Sequence, residues 1–244
     1  MPKSRTVFWV TAAILPIVIL AAMWTLVVSP PRWILRVVAT HNPGVLFYID
    51  TNAQAIALTI DDSPHPDVTP GILEVLERHG ARATFFVIGS HAAKHPDLVE
   101  AIRAGGHELG NHLYMDRRSS SLSAKEFRER LRQTDELIRP EGPVKWCRPG
   151  SGSITRRMVK IMLDEGYQPC LASQYPLDIH LPPSIARRHF MASVRPGAIL
   201  VLHDGYSTRR KTIDVLEDVL PRVVKRGYRV VTVSELAGIT SPTR

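Results

Sequence analysis

From residue 45 onward the chain trades short apolar runs for amphipathic stretches. "VLFYI" and "AIALTI" are brief, rich in β-branched and aromatic residues, and separated by the polar "DTNAQ", the pattern of two strands. "VTPGILEVLERHG" places Ile72, Leu73 and Leu76 at helical spacing, with Thr69 as N-cap, Pro70 at the first helical position and Gly80 as stop. The alternation continues through "RATFFVIG", a helix in "HPDLVEAIRAGG", "HELGN", a helix over 123–138, "VKWC", a helix over 154–164 and "QPCLA". A helix over 184–194, the strand "GAILVLH", a helix over 212–225 and "YRVVTV" complete it. Seven strands separated by helical crossovers predict an α/β fold with a parallel sheet, open or closed into a barrel.

The residues before this domain follow another pattern. "VFWVTAAILPIVILAAMWTLVV", residues 7–28, carries no charge and is long enough to cross a hydrocarbon layer of roughly 30 Å as a helix. A cleaved signal peptide would have a shorter apolar core and a small-x-small site, which "SPPRW" does not follow, so an uncleaved transmembrane anchor is expected. The plan is then a short basic tail at 1–6, the anchor at 7–28, a juxtamembrane linker at 29–44, the domain at 45–237 and a tail at 238–244. Lys3 and Arg5 precede the span and Arg32 and Arg36 follow it, a weak guide to orientation. These four account for half of the formal charge of +8, so the domain has no nucleic-acid footprint. The two cysteines, Cys147 and Cys170, exclude a disulfide framework and a cysteine-rich zinc site; one bridge and two core thiols are both open.

Parallel α/β folds bind ligands at the carboxyl ends of their strands. That rim is where the polar residues converge: Asp61 and Asp62 end one predicted strand, Asn111 and His112 another, Arg148 a third, and His203 with Asp204 a sixth. Singly, an aspartate is a cap or turn residue and a histidine a hydrogen-bonded structural group. Together they are costly to place unless a site uses them. His112 and Asp116 lie four apart, a spacing that one helical turn converts into two neighbouring ligands.

"TIDDSPHPDVTPGILEVLERHGARATFFVIG", "GHELGNHLYMD", "CRPGSG" and "ILVLHDG" occur in the order and spacing of the polysaccharide deacetylase family, carbohydrate esterase family 4 with its chitooligosaccharide deacetylase (NodB) homology domain, and the chain resembles that family over residues 45–237. The resemblance implies a distorted seven-stranded (β/α) barrel and a hydrolase acting on linear amide bonds of N-acetylated glycans such as peptidoglycan or chitin-like oligomers. It implies Asp61 as general base, Arg148 orienting it, His203 as general acid and Asp178 tuning that acid. Asp62, His112 and Asp116 would hold a divalent metal, Zn²⁺ first and Mn²⁺ or Co²⁺ next. Leu200 and Leu202 would line the acetyl pocket, and the backbone N–H of Ser151 would face the oxyanion. The chain departs from the family at Asp116, where the second histidine ligand is usual, at Leu113 for Ser or Thr, at Ser63 for Gly, and in "SQYPLDIH", which lacks the common tryptophan.

The chemistry needs these types: a cation polarises the acetamide carbonyl and acidifies water, a carboxylate takes the proton, and an imidazolium returns one to the leaving amine. The glycan substrate that the resemblance implies would place the domain outside the cytoplasm, tethered by the expected anchor. Two rivals remain, a deformylase or other amidohydrolase acting on a lipid-linked sugar, and a glycan-binding protein with a degenerate site.

Overall fold

The computed structural model describes residue 26 and residues 28–139, 144–174 and 178–239. The predicted span at 7–28 lies outside the described residues except for Leu26 and Val28, and no helix among the described residues is long and apolar enough to cross a membrane.

Seven strands form one sheet: β1 (Ala55–Ser63), β2 (Ala83–Val87), β3 (Glu108–Asn111), β4 (Trp146–Cys147), β5 (Gln168–Pro169), β6 (Ile199–His203) and β7 (Arg229–Val231). Every pairing is parallel, in the order β5-β4-β3-β2-β1-β6, and β7 joins residues 55–57 at the start of β1. All nine residues of β1 are buried, which is why its sequence reads as a near-continuous apolar run and not as an alternation.

The predicted first strand, "VLFYI", is not a strand. Leu46 makes a single parallel bridge to Cys170, beyond β5, and Tyr48 a single antiparallel bridge to Ala198, ahead of β6. The segment therefore staples the two ends of the sheet together, and the opposite senses of its two bridges prevent a ladder. Ser173 N–H adds a bond to Ile199 O at 2.8 Å across the same gap. The result is a curled sheet of the (β/α) barrel kind.

Helices flank the sheet: α1 (Arg32–His41), α2 (Thr69–Arg78), α3 (Gly89–Ala92), α4 (Pro96–Ala104), α5 (Ala124–Ile138), α6 (Arg156–Asp164), α7 (Pro183–Ser193), α8 (Lys211–Lys225) and α9 (Val233–Gly238), the last packing against the face of Ala55 and Ala57. Ser123 and Glu126 form a capping box at α5, and the Thr155 side chain caps α6. Thr69 is not the cap predicted for α2: it lies inside the first turn, where its hydroxyl donates to Asp204 Oδ2 at 2.5 Å. The stretch read as a linker contains α1, which is clamped to the domain by bonds from Arg32 to Thr51 O and from Arg195 to Pro30 O. Cys147 and Cys170 are both buried free thiols.

Period two sorts β1 into faces. Ile56, Leu58 and Ile60 enter the core beneath the helices, whereas Ala55 and Ala57 belong to the cluster on the other face. Thr59 and Asp61 continue that second row, so the inner surface grades from small to polar to charged toward the carboxyl end.

Candidate active site

The alternation that brings Asp61 inward would send Asp62 outward. Two features of the backbone reverse this. The pairing of β1 with β2 shifts register between Asp61 and Ser63, and Asp62 has a φ of 70°, in the left-handed region that L residues rarely adopt. His91 secures the bulge by donating from Nδ1 to Asp62 O at 2.8 Å. Gly205 permits it, since a Cβ there would stand 2.3 Å from the Asp62 Cβ. Both carboxylates thereby line one cavity of about 510 Å³, with His112, Asp116, Arg148, Ser151 and His203.

Arg148 is buried and fully engaged. Its Nη1 donates to Asp61 Oδ1 at 2.6 Å and to Thr59 Oγ1 at 2.7 Å, its Nε to Cys170 O at 3.0 Å, and its guanidinium lies over the Phe86 ring at 4.1 Å. Such a buried fork holds one carboxylate orientation. Asp178 grips His203 twice, accepting the backbone N–H at 2.9 Å and facing Nδ1 at 3.2 Å. Burial lowers the His203 pKa, but the hydrogen bond and charge of Asp178, with the charges of Asp61 and Asp62, outweigh it and raise it to about 9. His203 is thus an imidazolium over the neutral range.

His112 and Asp62 form the third pair. The His112 Nδ1 donates to Arg148 O at 2.6 Å, which leaves Nε2 facing Asp62 Oδ1 at 3.4 Å. Burial raises the Asp62 carboxyl, yet His112 outweighs that and holds it below the usual range; burial lowers the His112 imidazole, yet Asp62 outweighs that and raises it. Two donors at 3.4 Å match the separation of ligands each about 2.1 Å from one tetrahedral cation, and fixing Nδ1 on a carbonyl is how a metal-ligating imidazole is oriented. These two residues fit a divalent ion.

Asp116 does not complete a cluster. The predicted helical turn at 112–116 is absent, and the Asp116 carboxylate accepts the Tyr206 hydroxyl at 2.5 Å. No group of three His, Cys, Asp or Glu able to hold a metal occurs among the described residues. Asp116 nonetheless lines the same cavity.

Leu200 and Leu202 are placed differently from the expectation. Both belong to the core beneath the helices, and the cavity is lined by Val201. The reason is parity, since on β6 the residue co-facial with His203 is two back, not one. Ser151 does line the cavity, at the tip of a turn with φ 65°. Asn111, at the rim as expected, is structural: it donates to Leu131 O and Tyr167 Oη and accepts from Leu113 N–H. Asp204 is structural too, fully buried and accepting from Ser63 Oγ at 2.8 Å as well as from Thr69; the Ser63 departure has a partner of its own. Tyr206, Arg209 and His91 have no signal in the sequence pattern, because each acts through contacts between segments distant in the chain.

The polysaccharide deacetylase family model matches residues 48–170, and the chain belongs to that family. It is 37% identical over 206 residues to a peptidoglycan-N-acetylglucosamine deacetylase of Bacillus cereus, covering 79% of this chain and 92% of that one. It is 30% identical over 196 residues to a chitooligosaccharide deacetylase of a Bradyrhizobium species, covering 74% and 89%. Among solved structures, a pseudoenzyme of the CE4 family from Bacillus anthracis superposes with a TM-score of 0.73 at 28% identity, covering 79% of this chain and 68% of that one.

Proposed function

We propose that this chain is a metal-dependent hydrolase that removes the acetyl group from N-acetylated amino sugars of a glycan, peptidoglycan or a chitin-like oligomer. The observation that carries the reading is the pairing of Asp61 with Arg148 and of His203 with Asp178 around the cavity that also holds Asp62 and His112. Asp61 takes a proton from the attacking water, with Arg148 fixing its carboxylate. His203, protonated at neutral pH, donates to the departing amine, and Asp178 balances its charge. Asp62 and His112 would hold the cation, Zn²⁺ or alternatively Mn²⁺ or Co²⁺, and Asp116 would join them on leaving Tyr206. A bound cation supplies Lewis acidity toward the acyl carbonyl. The N–H of Ser151 would face the developing oxyanion. The products are acetate and a free amine.

The apolar residues 7–28 would anchor the domain to a membrane with the active site on the extracytoplasmic side, where such glycans lie. The similarity to a pseudoenzyme, taken with the change at position 116, favours a second reading in which the site binds glycan without turning it over. A binder, however, has no use for two buried acid–base pairs. The deciding experiment supplies metal to the purified full chain and measures acetate and formate release from a panel of N-acetylated and N-formylated sugars. Acetate release supports the proposal, formate release alone assigns a deformylase, and neither assigns the binding reading.

A further inference from the structure

The cavity runs past the acid–base and cation groups to Leu35 and Val38 of α1, and one of its walls is the segment Leu171, Ala172, Ser173 and Gln174. That segment leads from one proposed proton-transfer pair to the other. Leu171 O accepts from Arg148 Nη2 at 3.4 Å, and Asp178, which holds His203, follows Gln174 closely in the chain. The Ser173 hydroxyl is engaged both ways, donating to Phe47 O at 2.8 Å and accepting from Ile199 N–H at 2.9 Å. Gln174 differs from it: the residue is only 6% exposed, and its Oε1 is shut off from solvent with no hydrogen-bond partner among the described residues. A buried acceptor left unpaired costs stability, so this wall is incomplete until a donor reaches it. The carboxylates of the cavity are already occupied, Asp61 by Arg148, Asp116 by Tyr206, and Asp62 turned to His112.

We infer that Gln174 selects amides over esters: its Oε1 accepts the N–H of the acetamide lying between Asp61 and His203, a donor that an O-acetyl group on the same sugar carbon lacks. The terminal amide of Gln174 turns about a soft torsion, and one rotation offers Oε1 to the cavity. Burial sets the choice of donor. The acetamide must enter between the two buried pairs, whereas ring hydroxyls that keep access to water are satisfied there. A bond to this N–H also suits the reaction. As water adds to the carbonyl, the nitrogen keeps its hydrogen on Gln174 and turns a lone pair to the His203 proton; the C–N bond then breaks to give acetate and the amine. A site built to bond an N–H discriminates against the analogue without one, because that analogue forfeits the bond. For turnover the inference rests on the deacetylase reading, and for binding it does not.

The test uses the full chain in detergent micelles, loaded with Zn²⁺, and two tetrasaccharides: N-acetylated chitotetraose, and cellotetraose O-acetylated at the same ring carbon. Acetate release gives kcat/KM, and Kd is measured in an Asp61→Asn background, which holds substrate without consuming it. Gln174→Met keeps the length of the side chain and removes the acceptor. It should lower kcat/KM and affinity for the amide at least about tenfold, as loss of the partner of a buried N–H brings, and leave the ester within about twofold of wild type. Circular dichroism checks folding, and Gln174→Leu carries the same test should the methionine variant not fold. Equal losses on both substrates would assign Gln174 to the sugar ring, and no loss on either would assign its Oε1 to a water molecule; each overturns the inference and leaves the deacetylase reading in place. Should neither substrate release acetate, that reading falls and Kd decides alone. Amide binding weakened by Gln174→Met with ester binding unchanged then upholds the selection, and any other pattern overturns it.

Discussion

Asp61 and His203 each face a dedicated buried partner, whereas Asp62 and His112 face one another and Asp116 is held by an exposed tyrosine. The two halves of the rim are built under different rules. The proposed proton-transfer groups need one orientation and one charge state, and each is held by a buried partner of its own, Arg148 for Asp61 and Asp178 for His203. Groups proposed to hold a cation must leave their donor atoms available, and here the locks act on the backbone or on the far nitrogen: His91 on the Asp62 carbonyl, Arg148 O on His112 Nδ1. Arg148 serves both halves, its guanidinium on Asp61 and its carbonyl on His112, and so links the proposed base to the proposed cation ligands through one residue.

The sharpest way to break this division is to remove a proton-transfer group. Asp61→Asn keeps an oxygen for Arg148 and His203→Ala leaves the cation pair untouched, so each should lower kcat by roughly 10² to 10⁴ while bound metal stays at the wild-type level. Acetate release and elemental analysis of the same preparation check both statements; loss of metal in either variant would merge the two halves into one. Asp116 is the next test. Asp116→Ala should weaken metal binding by at least about tenfold with turnover falling in parallel, and Asp116→His should hold the ion at least as well as wild type. Metal affinity of Asp116→Ala equal to wild type would remove Asp116 from the ligand set.

Smaller effects sharpen the comparison. His203 is raised to about 9, so the active protonated form is present at neutral pH and is lost as pH rises through about 9, which places an alkaline limb there in the rate profile. Asp178→Asn removes the main raising influence and leaves burial, which lowers, less opposed. The limb should move to lower pH, and a limb that stays put would assign it to another group. The smallest change is Tyr206→Phe. Freeing Asp116 from one hydrogen bond worth about 1 kcal/mol should tighten metal binding by about twofold to fivefold, measured by competition with a chelator. Weaker binding would instead make Tyr206 a support for the ligand.

Much of this site was legible in the chain. Asp61 and His203 follow apolar runs at the carboxyl ends of β1 and β6, and His112 and Arg148 directly follow β3 and β4, because a charge buried in mid-sheet is costly unless it is paired. The position of Val201 was legible too, by counting back two from His203, and naming Leu200 and Leu202 missed a parity that the sequence carries. The helices at 123–138 and 154–164 were legible from local pattern, and the structure adds the caps that start them, Ser123 with Glu126 and Thr155, each made between neighbours a few residues apart. The first apolar run misled for the converse reason, since "VLFYI" has strand composition but its two bridges run in opposite senses to segments more than a hundred residues distant.

Composition, periodicity and local spacing depend on interactions within a few residues, and they sufficed for the parallel α/β architecture, the rim and the residue types gathered on it. Four features depend on segments far apart in the chain. The bulge that turns Asp62 inward needs β2, His91 and Gly205 in place. Tyr206 reaches Asp116 across ninety positions, and α1 enters the cavity only because Arg195 and Thr51 hold it there. His203 becomes an imidazolium by the balance of burial against Asp178. Such contacts carry no periodic trace, and only the folded chain decides them.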